Sequence, residues 1–143
     1  MTIFALSSGP GLSGVAIIRI SGPESALVLK NITGKELPKP RVATLRKINN
    51  INTSELIDEG IILWFPGPES YTGEDMAEFH VHGSRAVIEA MHNSISKIEG
   101  CRLAEPGEFT KIAFQNGKIN LLKAESISCL LYTSPSPRDG IGS

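Results

Sequence analysis

The amino-acid sequence predicts an α+β domain, built on a mixed sheet with about three packed helices. Short β-branched segments predict strands, and segments whose apolar residues recur every three or four positions predict helices. The two kinds of segment follow one another without the regular alternation that a doubly wound parallel sheet requires. The 143 residues are enough for one domain with its own core, or for one domain with an attached piece.

The first third of the chain predicts two strands and a helix. Residues 3–6 form a short apolar run, and residues 15–20 form a longer one that is rich in isoleucine. The Gly, Pro and Ser residues between them, at 7–14, predict a loop. A helix is predicted over residues 24–31. Gly34 is expected to stop it, because glycine is common just after the end of a helix.

The middle of the chain predicts a hairpin and a further strand. Residues 42–48 and 56–65 predict two strands, which are joined by the Asn-rich turn at 49–52. Residues 76–82 alternate between two kinds of side chain, which predicts a strand with one face in the core. The face expected in the core carries Ala77, Phe79 and Val81.

The last part of the chain predicts helices around one short strand. A helix begins after Ser84, a favourable N-cap residue, and ends at Gly100. Its apolar face consists of Val87, Ile88, Met91, Ile95 and Ile98. A short strand follows at 101–104, and a helix runs from residue 106 or 107 to about 115. A final helix is expected over 120–131.

The segment 133–143 differs from the rest of the chain. Ile141 is its one aliphatic residue, and Pro and Gly interrupt any periodicity. Such a segment buries too little apolar surface to offset the entropy lost on ordering. We therefore expect a disordered or non-native tail and leave it out of the fold prediction.

The charge balance and the apolar segments exclude several classes of protein. Lys and Arg number 14 and Asp and Glu 15, and this balance argues against a freestanding nucleic-acid binder, which needs a basic face. The longest apolar run, at 61–65, is far shorter than the ~20 residues of a membrane span. The amino terminus lacks the basic and apolar regions of a signal peptide. Cys101 and Cys129 cannot form a disulfide framework, which favours a reducing, cytoplasmic compartment.

The segment 9–14 matches the dinucleotide-binding pattern G-x-G-x-x-G, but its context does not fit. In that motif the last glycine opens a helix whose amino end holds the pyrophosphate, whereas here a strand follows. Val15 and Ala16 also stand where a phosphate-binding loop needs Lys and Ser or Thr. No GTP or ATP site is therefore predicted in this chain.

Glu78, His80 and His82 lie on one face of the predicted strand 76–82, because side chains two positions apart share a face. Carboxylates and imidazoles are metal ligands, but no fourth ligand is evident. A metal site is therefore not predicted. The face is expected to be either solvated or the floor of a polar pocket.

Two cations stand in distinctive positions. Arg19 lies in a strand that is otherwise apolar, and an arginine is rarely buried without an anionic or acceptor partner. Arg19 either extends its charged end to solvent, or it pairs with a carboxylate of the chain or with a bound ligand. Lys118 follows the predicted turn at 116–117, where most lysines are simply solvated.

Six short motifs occur in a fixed order along the chain. They are I-I-R-I-S-G at 17–22, F-P-G-P at 65–68, Y-T-G-E-D at 71–75, H-G at 82–83, E-P-G-E-F-T at 105–110 and N-G-K at 116–118. Together they closely resemble the amino-terminal domain of the tRNA uridine-modification GTPases, the MnmE/TrmE family, over about residues 2–131. Six ordered motifs are far more specific than any one of them.

The resemblance implies a division of the chain. Residues 1–118 would be a folate-binding and dimerisation domain, with a fold similar to the folate-binding domains of aminomethyltransferases. Residues 119–132 would begin the helical domain of the family. The GTPase domain, which holds GTP, Mg and K in this family, is missing, so the chain is not expected to hydrolyse GTP or modify tRNA alone.

The resemblance also implies a function and a site. The family modifies C5 of the wobble uridine of certain tRNAs, together with a flavin-containing partner protein. A tetrahydrofolate derivative, of the 5-formyl or methylene type, supplies the one-carbon unit. Its contacts come from residues that correspond here to Arg19, Glu78 and Lys118. The family forms homodimers through this domain, with the folate near the interface, and no residue is assigned a catalytic role.

Two alternatives from other functional classes stay open. The first is a stand-alone folate-dependent one-carbon transferase, in which Glu78 and His80 would act as acid and base. The second is a dimerisation scaffold with a vestigial folate site. Folate binding without turnover would separate the leading interpretation from the first alternative, and dimerisation without folate binding would favour the second.

Overall fold

The computed structural model describes residues 1–7 and 14–120. Six strands and three helices form in these parts of the chain. In chain order they are β1 (Thr2–Leu6), β2 (Val15–Ser21), α1 (Ser25–Thr33), β3 (Thr44–Asn49), β4 (Leu56–Phe65), β5 (Met76–His82), α2 (Arg85–Ser96), β6 (Cys101–Leu103) and α3 (Glu108–Gln115). The predicted last helix, Cys129, most of the glycine-rich segment and the tail 133–143 lie outside the described residues.

All six strands belong to one sheet, in the order β3-β4-β5-β2-β1-β6. Neighbouring strands are antiparallel except β1 and β6, which are parallel. The parallel pair at one edge makes the sheet mixed, and the predicted α+β fold is confirmed. The two strands at the centre, β2 and β5, pair over their whole length from Val15 opposite His82 to Ser21 opposite Met76.

Several element boundaries differ from the sequence prediction, and two of the differences have a clear local cause. β3 begins at Thr44 rather than at residue 42, because the chain turns just before it. In that turn Arg41 has a φ of 63°, and the amide of Val42 donates to the carbonyl of Lys39. α2 ends at Ser96, before the expected stop, because the next residues form a tighter turn that leads into β6.

The core lies between one face of the sheet and the helices α1 and α2. Apolar side chains from alternate strand positions meet the buried sides of these two helices and exclude water, which is the main stabilising contribution to such a fold. The largest of the fully buried side chains in this cluster are Phe4, Phe79, Ile18, Ile20, Leu29, Ile32, Ile48, Ile62, Met91 and Ile95. The expected core face of β5 is confirmed, since Ala77, Phe79 and Val81 are all buried.

The opposite face of the sheet is only partly covered. Its central row of side chains is half-buried and mixes apolar with charged residues. The row consists of Ile17, Arg19, Ile61, Leu63, Glu78 and His80. α3 lies against the loop before β5, where Tyr71 contacts Thr110 at 3.2 Å between the two hydroxyl oxygens. This face therefore holds the polar residues that the core cannot accept.

Gly60 allows β4 to approach β5 closely. A methyl group at this position would lie 2.3 Å from the carbonyl oxygen of His80, which is backbone and cannot swing away. The pairing of the two strands begins at the next residue, where Ile61 stands opposite His80. A side chain at Gly60 would therefore push apart the strands that carry the polar face.

Replacing Gly60 with Ala should destabilise the fold by about 1–3 kcal/mol, the usual cost of overpacking. The free energy of unfolding from urea titration measures this effect. Gly14→Ala is the matched control, because a methyl group there meets no described atom within 4 Å. A Gly60→Ala variant as stable as the control would contradict the predicted clash.

Glu108 holds the amino end of α3. Its carboxylate accepts two hydrogen bonds from the guanidinium of Arg102, one of them 2.9 Å long between Nη1 and Oε1. A third hydrogen bond comes from the backbone amide of Glu105, at 2.9 Å. The Arg102 hydrogen bonds hold the pKa of Glu108 below its usual value, against the opposing effect of partial burial. The E-P-G-E-F-T motif thus joins β6 to α3.

A lowered folded-state pKa makes the contribution of Glu108 depend on pH. The carboxylate stabilises the fold above its unfolded pKa of about 4.3, and this contribution is lost as the pH falls through the folded pKa. Glu108→Gln should therefore reduce the free energy of unfolding clearly at pH 7 and much less at about pH 3. Glu89→Gln, on the exposed side of α2, serves as the control. Equal losses at both pH values would show that the Arg102–Glu108 pair contributes nothing through its charge.

Two further properties concern the environment of the chain. Burial, followed by the nearby charge of Glu24, raises the pKa of the free Cys101 thiol, so this cysteine is less reactive than an exposed one. Among the described helices, none has the length and apolar character required to cross a membrane.

Candidate functional site

Arg19 and Glu78 face one another across the central strand pair. They stand directly opposite in the β2–β5 register, so their side chains emerge side by side on the partly covered face. Arg19 Nη2 lies 3.3 Å from Glu78 Oε2, and the two side chains are 31% and 17% exposed. Of the two partners expected for Arg19, the structure therefore places a carboxylate of the chain beside it.

Glu78 has a second partner on its own strand. The Nε2 atom of His80 lies 3.0 Å from Oε1 of Glu78, on the oxygen that Arg19 does not contact. Each carboxylate oxygen of Glu78 is thus held by one donor. The sequence indicated that the two residues share a face, but not that their side chains would bond.

Tyr71 lies against the other side of Arg19. The central carbon of the guanidinium is 5.7 Å from the centroid of the Tyr71 ring, a distance at which a cation and an aromatic face attract. The Nε atom of Arg19 is buried and has no hydrogen-bond partner among the described residues. The site therefore offers one N–H donor that no described atom of the chain uses.

The loop that carries Tyr71 is fixed by a buried hydroxyl pair. Ser21 Oγ donates to Glu74 Oε1 at 2.7 Å and also lies 2.7 Å from Thr72 Oγ1. Because the single hydroxyl proton of Ser21 goes to the carboxylate, Thr72 donates the second of these hydrogen bonds. The motif at 17–22 and the motif at 71–75 are thus connected at the end of β2, and this connection places Tyr71 beside Arg19.

Lys118 approaches the same loop from the other side. The side-chain amide of Asn116 donates from Nδ2 to the carbonyl of Thr72 at 2.7 Å, which attaches the N-G-K segment to the loop. A methyl group at Gly73 would lie 3.4 Å from Cγ of Lys118, so the stem of the lysine runs past this glycine. Lys118 is exposed. None of the ion pairs between described residues joins it to Glu78. Arg19 and Glu78 therefore contact one another across two strands, while Lys118 adjoins the loop that carries Tyr71.

His82 belongs to a different contact. Its ring Nδ1 lies 2.8 Å from Oδ1 of Asp58, and its backbone amide donates to the same carboxylate at 2.8 Å. Burial tends to raise the pKa of Asp58, but the hydrogen bonds from His82 outweigh it and leave that pKa below its usual value. His80 and His82 thus turn to different carboxylates. Within residues 1–7 and 14–120, no three His, Cys, Asp or Glu side chains are grouped to hold a metal ion.

Sequence reasoning did not assign two residues of this site. Tyr71 contacts Arg19, and Asn116 attaches the segment of Lys118 to the loop. Both lie inside motifs that the sequence had marked, so the order of the motifs was the available signal. His80 was singled out on the face of Glu78, but its hydrogen bond to Glu78 was not predicted.

The chemistry of the site suits a ligand with two different ends. The carboxylate of Glu78 can accept from an edge that carries N–H groups, because an ionised carboxylate has about four acceptor directions and two remain. The exposed ammonium of Lys118 suits an anionic group. The ring of Tyr71, beside Arg19, provides an aromatic surface.

Comparison of the chain with known proteins identifies the family to which it is similar. Residues 2–118 match the family described as GTP-binding protein TrmE N-terminus. The chain is 76% identical over 131 residues to a tRNA modification GTPase MnmE from Pelagibacter ubique, covering 92% of the chain and 30% of that relative. It is 50% identical over 131 residues to the mitochondrial 5-taurinomethyluridine-[tRNA] synthase subunit GTPB3 of Danio rerio, covering 92% of the chain and 26% of that relative.

The human protein of the same name is 48% identical over 132 residues, which cover 92% of the chain and 27% of that protein. The chain thus spans less than a third of the length of these curated relatives. The family match covers most of the chain and includes Arg19, Glu78 and Lys118. The chain therefore belongs to the TrmE amino-terminal family, and it corresponds to the amino-terminal domain of the tRNA modification GTPases.

Proposed function

We propose that this chain is the folate-binding and homodimerising module of a tRNA modification GTPase that acts on C5 of the wobble uridine. The ligand would be a tetrahydrofolate derivative of the 5-formyl or methylene type. The observation that carries the proposal is the Arg19–Glu78 pair on the partly covered sheet face, with Lys118 attached to the adjoining loop. A bound reduced folate would supply the one-carbon unit, and the residues of the chain would hold and orient it.

The pterin end of the ligand suits Glu78. A reduced pterin carries an amide N–H and an amino group along one edge, and a carboxylate can accept from both. Glu78 is 17% exposed, so hydrogen bonds to its carboxylate compete less with water than those of a surface glutamate. The guanidinium of Arg19 has five N–H donors, and those that do not bond Glu78 suit an acceptor atom of the ring.

The glutamate tail of the ligand suits Lys118. Arg19 already shares its charge with Glu78, whereas Lys118 is exposed on a loop and its long stem can reach an anionic group outside the sheet. Tyr71 contacts Arg19 and lies on the loop that Lys118 adjoins at Gly73. We therefore assign the pterin to Arg19 and Glu78, and the carboxylates of the tail to Lys118.

The remaining parts of the proposal concern the complete protein in the cytoplasm. Its partners would be a flavin-containing modification protein and, indirectly, tRNA. GTP, Mg and K would bind only in the part of the relatives' length that this chain does not span. The named relatives are a tRNA modification GTPase and 5-taurinomethyluridine-[tRNA] synthase subunits, which supports this placement. The contact of Glu78 with His80 favours a second candidate, a one-carbon transferase that uses this pair as base and orienting group.

The sheet face around the site also suits a two-fold interface. Beside the half-buried Ile17 and Ile61, this face carries the exposed side chains of Val15 and Leu45. Leu45 is 58% exposed. Exposed apolar side chains grouped on one face are typical of a surface that a second subunit covers. Two copies meeting here would use the same patch on both, and each would bring its folate site close to the interface.

Calorimetric titration of 5-formyltetrahydrofolate into the chain tests the binding proposal. We expect saturable binding without turnover. Arg19→Ala, Glu78→Gln and Lys118→Ala should each weaken it about 10- to 100-fold, because each removes a charge-assisted contact. Lys97→Ala, an exposed lysine at the end of α2, is the matched control and should bind as the wild type does. A folded wild-type chain that binds no folate would contradict the proposal, and turnover of the folate would favour the transferase.

Sedimentation of the purified chain tests the dimer proposal. The wild type should sediment as a dimer. The double variant Val15→Glu, Leu45→Glu should sediment as a monomer, because a dimer would bury each new carboxylate in the interface with the second subunit. Leu27→Glu, on the exposed side of α1, is the control because Leu27 is 40% exposed and lies on the helix side of the sheet. A wild-type chain that stays monomeric at the highest soluble concentration would refute this interface.

A further inference from the structure

The carboxylate of Glu78 is held at both oxygens, and the two contacts are not equal. The distance to His80 Nε2 is 3.0 Å, within the usual range for an N–H to oxygen hydrogen bond. The distance to Arg19 Nη2 is 3.3 Å, just beyond that range. The shorter contact belongs to the histidine, so His80 is the closer restraint on the carboxylate.

A glutamate needs such a restraint if its carboxylate is to present fixed acceptor positions. The last torsion of a Glu side chain has broad energy wells, so its carboxylate plane turns readily about the bond to the stem. One contact at Oε2 leaves that rotation available. A second contact at Oε1, from a ring fixed on the same strand, removes it.

His80 is itself well placed to act as a restraint. It lies in the central part of the sheet, opposite Ile17 on β2 and opposite Ile61 on β4. The side chains of these two neighbours are hydrocarbons and offer the imidazole no hydrogen bond. Its side chain is only 27% exposed. The ring therefore has its polar contact with Glu78 and is held laterally by strands on both sides.

We propose that His80 is a positioning residue for ligand recognition, acting through Glu78. By holding Oε1 it fixes the plane of the carboxylate, so that its two remaining acceptor directions meet the adjacent N–H groups of a pterin edge. This inference rests on the proposed folate binding and assigns a role within it. His80 does not touch the ligand and does not enter the chemistry.

His82 provides a matched control on the same strand and the same face. Its ring contacts Asp58 instead of Glu78, at 2.8 Å, and it is 74% exposed. A change at His82 therefore alters a histidine–carboxylate contact of the same kind without touching the Glu78 carboxylate.

The test compares two ligands across three variants of the 143-residue chain. The ligands are 5-formyltetrahydrofolate and p-aminobenzoyl-glutamate, which has the tail but lacks the pterin. His80→Leu should weaken binding of the complete folate about tenfold, the effect of one lost hydrogen bond to a charged group, and leave the tail compound unchanged. His80→Gln keeps an N–H donor and should recover most of the affinity. His82→Gln should match the wild type.

The outcomes separate this inference from the proposed function. If the wild type binds folate and His80→Leu binds it equally well, the positioning role is wrong and the folate site stands. If His80→Leu weakens both ligands alike, the effect is general to the site and the positioning role is again wrong. If the wild type binds no folate, the proposed function fails and this inference fails with it.

A measurement without ligand keeps the inference testable if His80→Leu does not fold. An ionised carboxylate only accepts hydrogen bonds, so a neutral His80 must carry its proton on Nε2 to bond Oε1. Long-range nitrogen–proton correlation spectra of the free wild-type chain should show that tautomer. A proton on Nδ1 instead would overturn the inference, since Nε2 would then have nothing to donate.

Discussion

The antiparallel pairing of β2 with β5 is the constraint on which the rest of the structure depends. The two strands lie at the centre of the sheet, and their register places Ile18 beside Phe79 on the core face and Arg19 beside Glu78 on the other. A shift by one residue would exchange these faces, burying two charges and exposing the core. The same register that stabilises the fold through apolar burial therefore also assembles the polar face. Stability and site geometry cannot vary independently here.

Much of the fold was predictable because it follows from local patterns. The alternation along residues 76–82 indicates which side chains of β5 enter the core, and Gly34 indicates the end of α1, where it adopts a left-handed conformation. The start of β3 was not predictable, because it depends on a turn in which Arg41 takes an unusual φ and its amide bonds Trp64, far along the chain. Strand ends set by distant partners leave no local signal.

The neighbourhood of the candidate site was predictable in part, for similar reasons. An arginine in an apolar strand requires a partner, so Arg19 could be singled out by elementary electrostatics. That Glu78 would stand beside it depends on the register of two strands separated by a helix and a hairpin. That Tyr71 would cover its guanidinium depends on where a loop returns. Lys118 could be chosen only through the resemblance of its motif to the family, because nothing in its chemistry or spacing distinguishes it from other exposed lysines.

The buried contact between Ser21 and Thr72 has a consequence for how such sequences can change. Both hydroxyls are fully buried, and each also bonds Glu74: Ser21 Oγ donates to its carboxylate, and Thr72 Oγ1 accepts from its backbone amide. Losing either hydroxyl would therefore break two hydrogen bonds at once, one to the other hydroxyl and one to Glu74. Sequence changes at the end of β2 should accordingly be tied to changes in the loop before β5. We expect these two motifs, about fifty positions apart, to change together among relatives, because a physical contact joins their hydroxyls.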